Sequence, residues 1–354
     1  MRAASKRLLI ASTEACSGKS AVLLGLADKL QKQGVEIVYS KPLGNYHSDE
    51  SPEDADLQLV KDYLALSDHQ LFSPLVNLNA VNGQRRLLGE NQTDYQQLLR
   101  AQLQHSEQLM CIEGGSNLWE GKSFKLSTGE IAAATDAAVL LVVRYHSWQS
   151  IEQVLAAQAD LGDRLLGIVL NDVPLSEMDS VQSVILPALV KLNIQVLGVL
   201  PRDQILHGVS VGELVKKLHA EILCRPDRLD LLVQSLSIGA MNCNSAFEYF
   251  RVTAHKAVVT GGDREDIQIA ALETSTNCLI LTGHLKPRPW VVSRAEILEI
   301  PILSVNLDTL TTVEIIERCF DQVRIHEPVK VETIRQLVAK HFNFELFNQW
   351  LDTP

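Results

Sequence analysis

The chain has 354 residues, of which 46% are apolar and only 5% aromatic, and it carries a formal net charge of −11. That length accommodates two domains of ordinary size, each with its own core. The acidic balance argues against nucleic acid or an anionic membrane as partner, because both demand clustered Lys and Arg.

No apolar run approaches the roughly 20 residues that span a bilayer, and MRAASKR does not open like a secretory signal. The six cysteines include no CxxC pair. The expectation is a cytoplasmic protein with reduced thiols.

Taken in chain order, residues 7–11 (RLLIA) read as a short buried strand. A turn rich in small residues follows. Val22, Leu23, Leu26, Ala27 and Leu30 then recur at helical spacing, with Gly34 as a stop. The β-branched run VEIVYSKPLG closes a strand–helix–strand unit, which implies parallel pairing and a right-handed crossover. Further strands are predicted at 108–115, 136–145, 165–173 and 194–203, with helices at 150–162 and 177–192 between them. Continuous apolar runs such as DAAVLLVVRY fit central strands covered on both faces. The first half is therefore expected to be a doubly wound, parallel-sheet α/β domain.

Residues 204–228 are less regular, and a domain boundary is placed at 220/221. A second, smaller α/β domain is expected over 221–340, opening with a helix, with strands within 256–266, 278–283 and 298–305 and further helices near 267–275, 311–323 and 331–342. Residues 341–354 are read as a C-terminal tail.

The strongest chemical signal is Ser12-Thr13-Glu14-Ala15-Cys16-Ser17-Gly18-Lys19-Ser20, set directly after the first strand and before the first helix. A P-loop needs that setting, because loop and helix N–H groups converge there on phosphate oxygens. Thr13, Glu14, Ser17 and Gly18 would line the loop, Lys19 would reach the β/γ-phosphates, and Ser20 would offer its hydroxyl to Mg²⁺. The usual first glycine of such loops is replaced by Thr13. An ordinary strand–turn–helix that happens to contain GKS is the rival reading.

These segments, together with Lys41-Pro42-Leu43-Gly44, Ile112-Glu113-Gly114-Gly115, Gly167-Ile168-Val169-Leu170-Asn171 and Leu197-Gly198-Val199-Leu200-Pro201, occur in the order seen in dethiobiotin synthetase and its relatives, which the chain resembles over about residues 5–215. The resemblance implies ATP and Mg²⁺ as ligands. It places Asn171 by the adenine, gives Glu113 and Asp56 (or Asp54) to the metal, and turns Lys41 toward the reacting phosphate or carboxylate. Plainer readings stand beside these roles. Lys41 could be a solvated strand-end lysine, and Asp54 and Asp56 a helix-start pair that complements the dipole. After Glu113 the chain departs from the synthetase's substrate loop, so the nucleotide fold transfers and the biotin chemistry does not.

In the second half, Thr260-Gly261-Gly262-Asp263-Arg264 follows a strand and precedes a helix. Paired glycines allow a tight turn, and Arg264 could fork onto a carboxylate or phosphate. A capped helix with an exposed arginine is the alternative. This segment resembles the core of the DRTGG domain. The pair of domains resembles the N-terminal regulatory part of bacterial phosphate acetyltransferases, without room for the acetyltransferase domain. The resemblance implies an ATP–Mg²⁺-binding regulatory protein whose second domain, through Gly261, Gly262, Asp263 and Arg264, meets a small-molecule effector or a second copy of the chain. An ATP-dependent carboxylate-activating ligase and a scaffold without nucleotide are the alternatives.

Overall fold

The computed structural model describes residues 6–44, 54–103, 108–321 and 327–353. The chain forms two compact units, residues 1–202 with 325–354, and residues 203–324.

The first unit is built on a seven-stranded parallel sheet. Its strands are β1 (Arg7–Ser12), β2 (Ile37–Ser40), β3 (Leu71–Phe72), β4 (Leu109–Glu113), β5 (Ala138–Arg144), β6 (Leu165–Val173) and β7 (Val196–Pro201), in the order β3-β2-β4-β1-β5-β6-β7. The chain begins at the centre, winds out to β3, returns to place β4 between β1 and β2, and then winds the other way. Ligands of open α/β sheets collect at such a reversal, beyond the carboxyl ends of the strands. This is the doubly wound fold that the alternating pattern predicts.

Residues Val139 to Val143 are fully buried in β5, as a strand sandwiched between helical layers requires. On one face, side chains of helices α1 (Tyr95–Leu103), α2 (Thr128–Thr135) and α3 (Ser150–Leu161) pack on Leu9, Ala11, Ile112, Leu141 and Leu170. The other face carries the helix that follows the P-loop, Lys19–Lys32. Against this loop helix lies the helix Pro328–His341; a side chain on Gly25 would stand 2.6 Å from Val338 Cγ2. The following residues also join this unit, since the Asn343 N–H donates to the Leu197 carbonyl at 2.6 Å. The compact units thus divide at 202/203 rather than 220/221. Residues 327–353 belong to the first unit as helices, not to a second domain and a tail. Only the three-dimensional packing of Val331, Ile334 and Val338 reveals this, because an amphipathic helix does not say which sheet it covers.

The second unit holds a five-stranded sheet. Strands Ser235–Ile238, Lys256–Gly261, Thr276–Thr282 and Ile302–Ser304 pair in parallel and in sequence order, and Glu221–Cys224 closes the far edge antiparallel. Helices cover both faces: Ala246, Phe250, Ile267 and Ala271 pack on one, Leu214, Leu218, Val313 and Ile316 on the other. Among the described residues no helix is long and apolar enough to cross a membrane.

Candidate functional site

The loop between β1 and its helix turns on Gly18, whose φ of +88° suits glycine. Asn171, on β6, lies directly against it: a Cβ on Gly18 would stand 2.2 Å from Asn171 Nδ2, which donates to the Ser17 carbonyl at 2.8 Å. The hydroxyls of Thr13 and Ser17 are buried and have no hydrogen-bond partner among the described residues. Buried hydroxyls are costly to leave unmet, so their place is one for a ligand rich in acceptors. Glu14 is turned aside, its Oε1 lying 2.6 Å from His146 Nε2 in the turn after β5.

Glu113, at the carboxyl end of β4, is 1% exposed and gathers the donors. Its Oε1 accepts from Ser20 Oγ at 2.8 Å and lies 3.5 Å from Lys19 Nζ, while its Oε2 accepts from Tyr39 OH at 2.6 Å. Burial first, and then the neighbouring Glu113 charge, push the Tyr39 phenol well above its ordinary range, so it remains a donor. Tyr39 is a site residue that sequence reasoning missed. Its one signal was alternation along VEIVYSKP, which points Tyr39 and Lys41 to the same face.

Lys41 is 2% exposed and its ammonium lies between two carboxylates, 2.8 Å from Asp54 Oδ1 and 2.6 Å from Asp56 Oδ2. Burial works against its charge, but Glu113, Asp56 and Asp54 outweigh that and raise its pKa above the ordinary lysine value. Asp54 also accepts the Asp56 N–H at 3.0 Å, capping the helix Ala55–Leu64. The structure therefore brings Lys19, Ser20, Glu113 and Tyr39 together and sets Asp56 with Lys41 beside them. Among the described residues no three His, Cys, Asp or Glu side chains form a metal cage.

The loop after β4 closes on itself. Ser12 Oγ donates to the Ser116 carbonyl at 3.0 Å, the Glu120 carboxylate accepts the Ser116 N–H, and Asn117 Oδ1 accepts from the N–H groups of Trp119 and Glu120. Phe124 is a buried anchor, edge-on to Tyr95 at 5.6 Å between ring centroids.

In the second unit, Gly262 donates its N–H to the Thr282 carbonyl, and a side chain there would meet the Leu285 carbonyl oxygen at 2.1 Å. Arg264 takes the N-cap position of the helix Glu265–Leu272, which leaves Asp263 exposed just ahead of it. The Arg264 guanidinium donates to the Met241 carbonyl at 2.7 Å and forks onto Asp266 at 3.2 Å. Gln268, fully buried, donates to the carbonyls of both Gly261 and Gly262 and so fixes the turn from inside.

An AAA-domain family model matches residues 6–210, more than half of the chain, and a DRTGG-domain model matches residues 213–319. The chain belongs to this AAA-domain family. Its AAA domain is the dethiobiotin synthetase-like P-loop type, and a DRTGG domain follows it. Phosphate acetyltransferase of Nitratidesulfovibrio vulgaris is 26% identical over 370 residues, covering 96% of this chain and 51% of that protein. The phosphate acetyltransferase of Nitrosomonas europaea is 24% identical, covering 95% of this chain and 50% of that protein. The chain thus spans about half the length of the curated relatives it matches. Among solved structures, the CBS and DRTGG domains of the regulatory region of Clostridium perfringens pyrophosphatase share 20% identity over 37% of this chain and 60% of that one, with a TM-score of 0.29.

Proposed function

We propose that this AAA-domain protein is an ATP–Mg²⁺-binding regulatory protein, related to the non-catalytic N-terminal region of phosphate acetyltransferases. Its DRTGG unit, through the turn at Gly261–Arg264, takes a small-molecule effector or pairs two copies of the chain in the cytoplasm.

The observation that carries the reading is the loop itself. It has a glycine-shaped turn, the Lys19 ammonium beside Glu113 at its end, and two buried hydroxyls with no partner among the described residues. Hydroxyl and carboxylate oxygens at Ser20 and Glu113 are a donor set that suits Mg²⁺, a hard ion that shares its shell with phosphate oxygens and water. Mg²⁺ bound there would neutralise charge on the β- and γ-phosphates. Lys19 would face the same oxygens, and Asn171 would hold the loop to β6 while its remaining oxygen accepts from an amino group of the base.

The ligase alternative has less support. Lys41, its assigned catalytic group, is held by two carboxylates, and the Ser116 N–H beside the loop is already taken by Glu120. Thermal denaturation with and without ATP and Mg²⁺ tests the proposal. A ligand at about 100 times its Kd stabilises by roughly 2.7 kcal/mol, and Lys19→Ala should remove that gain. A wild-type protein indifferent to ATP, ADP and GTP would overturn it.

A further inference from the structure

Beyond the phosphate loop, three side chains stand abreast where β5, β6 and β7 end. Arg144 pairs in register with Asn171, and Arg202 directly follows Pro201, which pairs with Val173. Val139, Leu141 and Val143 face the core under the helices of the opposite layer. Alternation therefore sets Arg144 on the face of Asn171, the residue that touches the loop at Ser17. Between the arginines lies Asp172, 6% exposed and held at a φ of +62°. Its Oδ2 accepts from Arg144 Nε at 3.0 Å and Arg202 Nη2 at 3.2 Å, and its Oδ1 from Arg202 Nε at 2.8 Å.

Both arginines present their inner edges to Asp172. The two Nη groups of Arg144 and the Nη1 of Arg202 have no partner among the described residues, and both side chains reach solvent, at 20% and 46% exposure. Two guanidinium groups against this carboxylate leave surplus positive charge on forks whose direction is already fixed. Such forks match phosphate oxygens and lose little freedom on binding.

We propose that Arg144 and Arg202, oriented by Asp172, form a second phosphate site, which takes a phosphate on the ribose of a nucleotide held in the loop. This rests on the nucleotide reading above, with the nucleoside end beside Asn171. The site gives the protein a preference for a ribose-phosphorylated adenine nucleotide over ADP.

Isothermal titration of the full chain with ADP, 2′-phospho-ADP and 3′-phospho-ADP tests this, using wild type, Arg144→Gln, Arg202→Gln and Arg202→Lys. Wild type should bind one of the ribose-phosphorylated forms about tenfold or more tighter than ADP, the worth of a charge-assisted fork. Arg202→Gln, at the more exposed of the two positions, should lose that preference and keep its ADP affinity within about twofold. Arg202→Lys should retain part of the preference. Arg144→Gln should behave as Arg202→Gln, with circular dichroism reporting whether it folds. Equal affinity of wild type for all three ligands overturns the inference while leaving the loop's function intact. So does parallel loss of ADP and its phosphorylated forms in folded Arg202→Gln. Failure of every nucleotide to bind overturns the loop reading and this site together.

Discussion

The amide of Asn171 occupies the space that a side chain on Gly18 would need, 2.2 Å from that Cβ position. Strand β6 and the phosphate loop are therefore fitted to each other at one point, and Asn171 Nδ2 ties the same point to the Ser17 carbonyl.

Gly18→Ala combines this collision with a φ of +88°. Backbone strain of that kind costs about 1–3 kcal/mol, and relief of the collision must move Asn171 or the loop. The variant should show a lower melting temperature and no stabilisation by ATP and Mg²⁺. Asn171→Ala removes the obstruction and one hydrogen bond worth about 0.5–1.5 kcal/mol. It should raise the melting temperature of Gly18→Ala above that of the single variant, without restoring nucleotide response. Additive losses in the double variant would show that the two residues do not meet.

Lys41 should prove essential to stability and dispensable to phosphate binding. Lys41→Met removes the ammonium that Asp54 and Asp56 share at 2.8 and 2.6 Å. Breaking a buried ion pair costs about 3–5 kcal/mol, and the 30% exposure of the Asp56 side chain moves the expectation to the lower end. Chemical denaturation should show that loss, while ATP-induced stabilisation persists. An intact melting temperature with abolished phosphate release would instead favour the ligase role.

The loop, the parallel strands and the strand-end residues Glu113, Lys41 and Asn171 were legible because their signals are local: a Gly-Lys-Ser at a strand–helix junction, apolar runs, polar residues where those runs stop. Side-chain partners were not. Nothing in the spacing of Asp54, Asp56 and Lys41 says that the ammonium lies between the carboxylates, and the helix-start reading of Asp54 turned out to hold as well. The Tyr39–Glu113 hydrogen bond spans 74 positions, and the packing of Val338 on Gly25 spans 313 (338 − 25), distances at which periodicity carries no information. Residues 55–103 yielded little in sequence, since their strands are two residues long: Leu71–Phe72 lies at the edge of the main sheet, and Val76–Asn77 pairs apart from it with Leu43–Gly44.

The C-terminal helices should be required by the P-loop unit. Val331, Ile334, Val338, Phe342 and Phe347 are each at most 6% exposed, and burying such side chains is worth about 1.5–3 kcal/mol apiece. Their sum rivals the roughly 5–15 kcal/mol that stabilises a whole domain. Residues 1–202 expressed without 327–354 should aggregate or melt far below the full chain. Within the full chain, Gly25→Ala should cost about 1–3 kcal/mol by overpacking. Adding Val338→Ala should return part of it, a coupling that a double-mutant cycle reads directly. A truncated chain as stable as the whole would contradict this assignment of the helices.

Lys256 gives the second unit a pH dependence with a definite sign. Its side chain is fully buried and donates at 3.0 Å to the carbonyls of Thr253 and Ser275. Burial pushes its pKa down to about 8 from the ordinary 10.5. Below about pH 8 the amine is charged in both states, and the cost of burying that charge is fully present. Between about 8 and 10.5 the unfolded chain holds the proton that the folded chain has released, so stability rises with pH. The slope is at most about 1.4 kcal/mol per pH unit. Lys256→Met lacks this titration and also leaves two carbonyls without their donor, so the offset between the proteins at any one pH mixes two effects. The change in that offset isolates one of them. Melting of wild type relative to Lys256→Met should improve steadily from about pH 8 to about 10, and an offset that stays flat over that range would mean the buried amine keeps its proton throughout.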